Sequence, residues 1–348
     1  MENLTKDVAK NNVKTSQQIT IQEIQALYFD KDIIRESGVS LRRLDYSGHR
    51  NYYTITENNT LDSLYTSVTT FTKSVMPTSP YLLQWMKNKS EEEQSYILKS
   101  SSTYGTLMDI LFNQLIISGE LKDIEKQVRD FTMTEGLYTI DQTKWTEQLK
   151  KDCLSFAQFV RDYEVKPILV SCPLKSDRLG IAGTLDLLCE MNKKILTKTD
   201  IKKGVENERI NCIIDYKAKI GDMSMKSDRN SFWDSECLQL ELYERLVFDT
   251  FPDITIQGLC NFSPKNWRAN PDYNLKSWYD TQTHNRIKGK FDKYHDIWKI
   301  DNADIERSFI VIDDLITLHG YESQFRTISL TDFINQNLQE SEYDRANS

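Results

Sequence analysis

Charged residues interrupt two strongly apolar segments near the middle of the chain, and this restricts how the chain can fold. Asp186 lies inside the segment 180–190 (GIAGTLDLLCE), and Asp215 and Lys217 follow directly on Cys-Ile-Ile at 212–214. Aspartate is depleted in β-strands, and an ionised side chain near a core is unfavourable unless it is paired or bound to a metal. The sequence therefore predicts that these charges meet one another or a shared cation.

Hydrophobic periodicity predicts alternating helices and strands around these residues. The order predicts an α/β fold with a mixed central β-sheet flanked by helices, and a long hairpin excursion over the polar segment 191–209. We predict helices at 80–86, 104–118, 143–163 and 231–251, strands at 167–173, 180–190, 210–220 and 254–262, and an extended segment at 65–71.

The 348-residue chain is long enough for a large buried core. We expect a single domain over 21–335, with a core at 65–262 and a C-terminal extension at 263–335, between disordered polar tails at 1–20 and 336–348. No apolar run reaches the length of about 18–20 residues that a membrane helix needs. The first twenty residues are polar, unlike a secretory signal. We therefore expect a cytoplasmic protein without membrane contact, in a bacterium or a phage-infected host.

The cysteines and histidines do not have metal-site spacing. None of the six cysteines belongs to a C-x-x-C pair, and the four histidines are dispersed. We therefore expect neither a structural zinc site nor an iron–sulfur cluster, but reduced cysteines in the core. The cysteines are Cys153, Cys172, Cys189, Cys212, Cys237 and Cys260.

The strand that carries Asp215 predicts a metal site. Side chains two apart on a strand share a face, so Asp215 and Lys217 point the same way and Tyr216 the other. Hard cations such as Mg²⁺ prefer oxygen ligands, which Asp186, Asp215 and the Tyr216 carbonyl would supply. A lysine beside the cation can orient the attacking water and offset charge on a phosphate. Alternatively, Asp186 and Lys217 form a buried salt bridge.

Two further features adjoin this set. Gly183 lacks a side chain, which would let a substrate backbone approach Asp186. Gln239 and Tyr243 are four residues apart on one helix face and could aim their polar ends at the substrate or the lysine. Alternatively, Tyr243 is a core residue and Gln239 lies on the surface.

Together these residues resemble the RecB-like branch of the PD-(D/E)XK nuclease superfamily. The matching motifs, in family order, are Gly183-x-x-Asp186, Asp215-x-Lys217 and Gln239-x-x-x-Tyr243. The resemblance spans about 65–262 and implies a restriction-endonuclease-like core with helical N-terminal and C-terminal additions. It also implies Mg²⁺- or Mn²⁺-dependent cleavage of DNA, with Asp186 and Asp215 as metal ligands and Lys217 as a catalytic residue.

The chain departs from the family pattern in three respects. At the position where the branch has a histidine, after Gly105-Thr106, stands Asp109. It is either a third metal ligand or a residue near a helix N-terminus favoured by the dipole. The offset of 29 positions from Asp186 to Asp215 (215 − 186) indicates an inserted hairpin or loop. The clustered cysteines of the iron–sulfur relatives are missing.

Three functions are compatible with these observations. The leading one is a metal-dependent DNA nuclease, an exonuclease rather than an endonuclease, serving replication, recombination, repair or phage genome processing. The chain has no P-loop motif, so a helicase or another replication or recombination protein would be a separate partner. The net charge of −8 favours instead a non-catalytic subunit that binds nucleic acid or assembles with partners. A different metal-dependent hydrolase is the third.

Overall fold

The computed structural model describes residues 34–46, 49–55, 61–75, 78, 80–196, 198–218, 234–277, 279–280 and 285–286. Both predicted tails, 1–20 and 336–348, lie outside these residues, as does most of the predicted extension 263–335. Every structural statement below concerns the described part of the chain.

Eight strands in the described residues form one mixed sheet. Its order is β1-β2-β3-β5-β6-β7-β8, and β4 pairs with β5 outside this path. The β3–β5 and β6–β7 pairs are parallel, and all others are antiparallel. The strands are β1 Arg42–Tyr46, β2 His49–Ile55, β3 Leu61–Ser67, β4 Lys166–Ser176, β5 Ile181–Asn192, β6 Arg209–Tyr216, β7 Gly258–Pro264 and β8 Tyr273–Ser277. A separate pair joins β9 Tyr279–Asp280 to β10 Asn285–Arg286.

Strand β5 organises the sheet because it pairs with three neighbours. It lies against β4 along one edge. On its other edge it pairs with β3 near its start, up to Ala182, and with β6 from Leu187 onward. The segment 183–186 therefore lies between β3 and β6, and none of the described strands pairs with it on that edge. This opening contains Asp186.

Five of the seven helices in the described part of the chain cover the two faces of the sheet, and they enclose one apolar core on each face. In the first core, the helices α3, α4 and α5 pack against the face of the sheet that carries Ile214 and Phe262. In the second core, the helices α1 and α7 pack against the opposite face, which carries Ile213 and Leu259. Because neighbouring strand residues point to opposite faces, the apolar run of β6 fills both cores. The helices are α1 Val68–Val75, α2 Pro80–Lys87, α3 Glu91–Ser118, α4 Ile124–Thr134, α5 Gln142–Asp162, α6 Lys198–Lys202 and α7 Asp234–Thr250.

Helix α3 begins well before the predicted segment 104–118. Ser90 caps it, since the Glu93 N–H donates to the Ser90 hydroxyl at 3.2 Å and the Ser90 N–H donates to the Glu93 carboxylate at 3.1 Å. It ends at Gly119, whose φ of 67° suits a left-handed C-terminal cap. The Ser90-x-x-Glu93 capping box is a helix start signal that the sequence prediction overlooked.

The predicted mixed α/β arrangement is confirmed, but several boundaries are wrong. The segment 65–71 is not extended throughout, because β3 ends at Ser67 and α1 begins at Val68. The strand predicted at 210–220 ends at Tyr216, and the hairpin excursion contains the short helix α6.

The predicted helical character of the two terminal additions is also wrong where the structure describes them. The described part of the N-terminal addition, up to residue 64, contains the antiparallel strands β1 and β2 and the start of β3. The described part of the C-terminal extension contains β8, β9 and β10.

Candidate functional site

Asp186 lies where β5 and β6 separate. The last paired residues of these strands are Leu187 and Ile214. Beyond them, the N–H of Tyr216 donates to the Asp186 carboxylate, with 2.8 Å between N and Oδ2. A side-chain oxygen thus satisfies an N–H that an unbroken ladder would pair with a backbone carbonyl.

The strand on the other side of Asp186 is irregular at the same level. The β4–β5 ladder pairs Val170 with Leu187 and Cys172 with Leu185, but omits Ser171 and Asp186 between them. Ser171 has a φ of 46°, which an L-residue rarely adopts. Leu185 and Leu187, two residues apart, consequently belong to opposite cores. The regular alternation of side chains along β5 is therefore interrupted at Asp186.

Asp215, Lys217 and Gln239 form a closed set of contacts. The Lys217 ammonium forms an ion pair with the Asp215 carboxylate. It also donates to Gln239, with 3.1 Å between Nζ and Oε1. The Gln239 amide in turn donates to Asp215, with 3.0 Å between Nε2 and Oδ1. Because each side chain contacts the other two, the orientation of Lys217 is fixed from two directions.

The backbone of Lys217 is held although β6 ends one residue earlier. The Lys217 N–H donates to the Phe262 carbonyl at 2.8 Å, and the Ser263 hydroxyl donates to the Lys217 carbonyl at 2.9 Å. Both partners belong to β7. Lys217 therefore keeps the face that strand alternation predicted for it, the same face as Asp215.

Asp186 and Asp215 are close enough for their carboxylates to interact. Burial raises the pKa of Asp186 to about 7, and the Asp215 charge adds to this effect, whereas the Tyr216 N–H and Lys217 act against it. Two neighbouring carboxylates supply the oxygen ligands that a hard divalent cation prefers, and the cation would relieve their repulsion. Across the described residues, however, no three His, Cys, Asp or Glu side chains converge to hold a metal ion. The metal-ligand role of the pair remains a prediction.

Asp109 lies in the interior of α3, eighteen positions after its first residue, Glu91 (109 − 91). The alternative that it sits near a helix N-terminus is therefore wrong. Burial raises the pKa of the Asp109 carboxyl well above its usual range, and the charges of Asp186 and Asp215 contribute. Asp109 is thus electrostatically close to the pair, but its role as a third ligand remains a prediction.

The Tyr216 side chain points away from the site into the first core. Its ring packs edge-on against Phe112 and Phe156, with centroid distances of 5.2 and 5.4 Å. This agrees with the predicted strand alternation, in which Asp215 and Lys217 face the other way. The ring anchors the backbone between Asp215 and Lys217, and the proposed use of the Tyr216 carbonyl as a ligand remains a prediction.

Gln239 and Tyr243, both on α7, differ in their surroundings: the first contacts the site and the second packs in a core. Gln239 reaches the lysine rather than the surface, whereas the Tyr243 ring lies in the second core and its hydroxyl donates to the Thr184 carbonyl at 2.9 Å. A Cβ atom on Gly183 would lie 2.9 Å from Cε1 of Tyr243 and 3.0 Å from Cγ2 of Val68. Gly183 is therefore required for this packing, and the predicted space for a substrate backbone is filled by Tyr243.

Two polar residues beside this set were missed by the sequence analysis. The Asn261 amide donates to Glu236, with 3.1 Å between Nδ2 and Oε2. Asn261 is the β7 residue paired with Asp215, and Glu236 is one helical turn before Gln239. A signal for Asn261 was present, since an asparagine inside the apolar run 258–262 (GLCNF) resembles Asp186 in its own strand.

Comparisons with known proteins identify no relative. No family model matches the chain, and no curated protein matches it significantly.

Two further features concern the protein's general character. All six cysteines are free and buried, which confirms the prediction of reduced core cysteines. None of the helices in the described ranges is long and apolar enough to cross a membrane.

Proposed function

We propose that this protein is a metal-dependent deoxyribonuclease with a restriction-endonuclease-like core of the RecB-like PD-(D/E)XK type. The observation that carries the proposal is the joint contact of Lys217 with Asp215 and Gln239, next to Asp186 on the neighbouring strand. The alternative, a buried salt bridge between Asp186 and Lys217, explains less. Lys217 forms its ion pair with Asp215 instead, and Gln239 contacts both of these residues. The mutual repulsion of the two carboxylates further supports a cation between them.

The chain's own residues would divide the work of phosphodiester hydrolysis. Asp186 and Asp215 would hold Mg²⁺ or Mn²⁺, together with the Tyr216 carbonyl. When bound, this cation supplies Lewis acidity and a more acidic water. The Lys217 ammonium would offset negative charge on the reacting phosphate and orient the attacking water. Gln239 would keep that ammonium in place.

The expected substrate is DNA, cut from an end rather than internally. The resemblance in motif order is the ground for expecting metal-dependent cleavage of DNA. Any helicase or other replication or recombination protein would act as a separate partner, as the absence of a P-loop motif from the sequence indicates.

The test combines substrate topology with metal dependence. Linear duplex, single-stranded and closed circular DNA are incubated with the protein and Mg²⁺, Mn²⁺ or EDTA. We expect digestion of linear DNA with either metal, none in EDTA, and none by Lys217→Ala. Lys193→Ala is the matched control, because Lys193 also pairs with a carboxylate, Glu208 at 2.7 Å, but at the opposite end of the β5–β6 pair.

The outcomes separate the candidate functions. Cutting of closed circles would indicate an endonuclease. Metal-independent cutting, or undiminished cutting by Lys217→Ala, would refute the proposed site. DNA binding without cleavage in either metal would support the non-catalytic subunit instead.

A further inference from the structure

A second carboxylate lies beside the contacts of Lys217. Glu236 precedes Gln239 by three residues on α7, so both project from the same helix face. Asn261 donates to Glu236 and is the residue on β7 paired with Asp215. Helix and strand thus bring Glu236 next to the group formed by Asp215, Lys217 and Gln239.

Asn261 is suited to fix this carboxylate. Its side chain is buried, with only 3% of the residue exposed. A buried amide that donates to a carboxylate forms a charge-assisted hydrogen bond, which is stronger than a neutral one. The hydrogen bond from β7 therefore fixes the position of the Glu236 carboxylate.

The charge of Glu236 acts on the lysine. Burial alone lowers the pKa of Lys217, but Asp215 and then Glu236 outweigh this effect, and the pKa is raised above its usual value. Lys217 therefore interacts with Asp215 on its own strand segment and with Glu236 on the helix, and Asp186 contributes in the same direction.

The two carboxylates would behave differently once a cation binds. In the proposed function Asp215 shares its charge with a divalent ion, which weakens its attraction for the ammonium and adds repulsion from the ion itself. Glu236 is not among the proposed ligands, so its attraction for the ammonium would persist.

We propose that Glu236, held by Asn261, is a positioning residue that keeps the Lys217 ammonium in place when a divalent cation engages Asp215. This inference rests on the proposed function. In this proposal Glu236 acts through Lys217 and is not one of the residues that would hold the cation. A purely structural Glu236 would instead affect stability and leave turnover unchanged.

The first test is the kinetics of Glu236→Gln on linear duplex DNA with Mn²⁺. Glutamine keeps the shape and an oxygen acceptor for Asn261 but removes the charge. We expect kcat to fall about 10- to 100-fold, as is typical when a group that orients an active-site residue is lost, with KM little changed. Glu236→Asp, which keeps the charge, should recover part of the loss.

The matched control is Glu208→Gln, which removes the carboxylate partner of Lys193 far from the site. It should leave kcat unchanged. Asn261→Ser, which loosens Glu236 without removing its charge, should lower kcat in the same direction but less. Unchanged kcat in both Glu236→Gln and Asn261→Ser would overturn the inference.

The second test does not depend on activity. In protein labelled with ¹⁵N-lysine, an ammonium held by its neighbours exchanges protons slowly and gives a cross-peak, which is assigned by its loss in Lys217→Ala. We expect this cross-peak in the wild type with Mn²⁺ replaced by diamagnetic Mg²⁺, and its loss or broadening in Glu236→Gln. A cross-peak that persists unchanged in Glu236→Gln overturns the inference, even if the wild type cuts DNA. A wild type that does not cut DNA overturns the proposed function, whereas this spectrum still decides whether Glu236 holds Lys217.

Discussion

Ser171 stands opposite Asp186 across the β4–β5 pair, and the ladder omits both residues. The pairs on either side are Val170 with Leu187 and Cys172 with Leu185. The positive φ of Ser171, 46°, turns the strand at the level where Asp186 leaves the regular sheet. Backbone strain often persists where the surrounding structure imposes it at a functional position. The unusual backbone of Ser171 thus coincides with the interruption of the β4–β5 ladder at Asp186.

Replacing Ser171 by glycine should stabilise the fold. A left-handed conformation is unfavourable by about 1–2 kcal/mol for an L-residue but not for glycine, whose greater freedom in the unfolded chain offsets part of the gain. We expect Ser171→Gly to raise the free energy of unfolding by about 0.5–1 kcal/mol, as measured by urea denaturation. Ser171→Ala, which keeps the Cβ atom, should give no gain. Equal effects of the two substitutions would show that the backbone is not strained there.

Replacing Gly183 by alanine should destabilise the fold. The added Cβ atom would meet the Tyr243 ring at 2.9 Å and Val68 at 3.0 Å, closer than packed atoms normally approach. Overpacking of this kind reduces stability by about 1–3 kcal/mol. Thermal or urea unfolding measures the loss.

Gly105→Ala is the matched control for Gly183→Ala. Gly105 lies inside helix α3, and among the described residues its added Cβ atom would meet only Ala218, at 3.9 Å. Alanine in a helix interior is favoured over glycine by about 0.8–1 kcal/mol, so a gain of that order is expected. The packing argument fails if both alanines change stability in the same direction.

The buried Asp152 should make stability depend on pH. Burial raises its pKa from 3.8 to about 7, although hydrogen bonds from Tyr104 and Asn266 act in the opposite direction. The Tyr104 hydroxyl donates at 2.6 Å, and the Cys153 thiol is the neighbouring titratable group on the same helix. A carboxyl with a raised folded-state pKa binds protons more tightly in the folded state. Its contribution to stability is therefore fully present below about pH 4 and lost as the pH rises towards 7.

Asp152→Asn removes this titration. We expect the free energy of unfolding of the wild type to fall, relative to the variant, between about pH 4 and pH 7, and the difference to be constant above that range. Urea unfolding at several pH values measures both curves. Parallel curves across this range would mean that Asp152 does not titrate there.

The residues of the candidate site could be predicted because they break a local rule. Asp186 and Asp215 are charges in apolar strands, and Lys217 follows from strand alternation. Helical spacing then places Gln239 near them, since a helix that follows a strand packs back on the sheet. The structure brings these four residues together.

Other features depend on contacts between distant segments, which spacing does not encode. Glu236 resembles any polar helix residue until Asn261, from a different strand, is seen to bond with it. Gly183 was assigned to substrate access because the sequence does not reveal that Tyr243 occupies the space above it. The alternative that placed Asp109 near a helix N-terminus is wrong because the start of α3 was predicted too late, at 104 instead of Glu91.

Gln239 tests whether the orientation of Lys217 affects catalysis. Gln239→Leu removes the acceptor of Lys217 and the donor to Asp215 and leaves an apolar side chain of similar bulk. We expect kcat for DNA cleavage to fall about 10- to 100-fold, because the ammonium loses one of the groups that orient it. Stability should also fall by about 1–3 kcal/mol, since an oxygen of the buried Asp215 loses its donor.

Gln257→Leu is the counterpart that separates the two effects. Gln257 also bridges elements, because its side-chain oxygen accepts from the Asn211 N–H at 2.9 Å and its own N–H donates to the Asn211 carbonyl at 2.8 Å. Asn211 lies near the start of β6, whereas the site lies beyond its end. Gln257→Leu should therefore lower stability without changing kcat. If both variants reduce kcat to the same extent, loss of turnover follows loss of stability, and Gln239 has no special role in orienting Lys217.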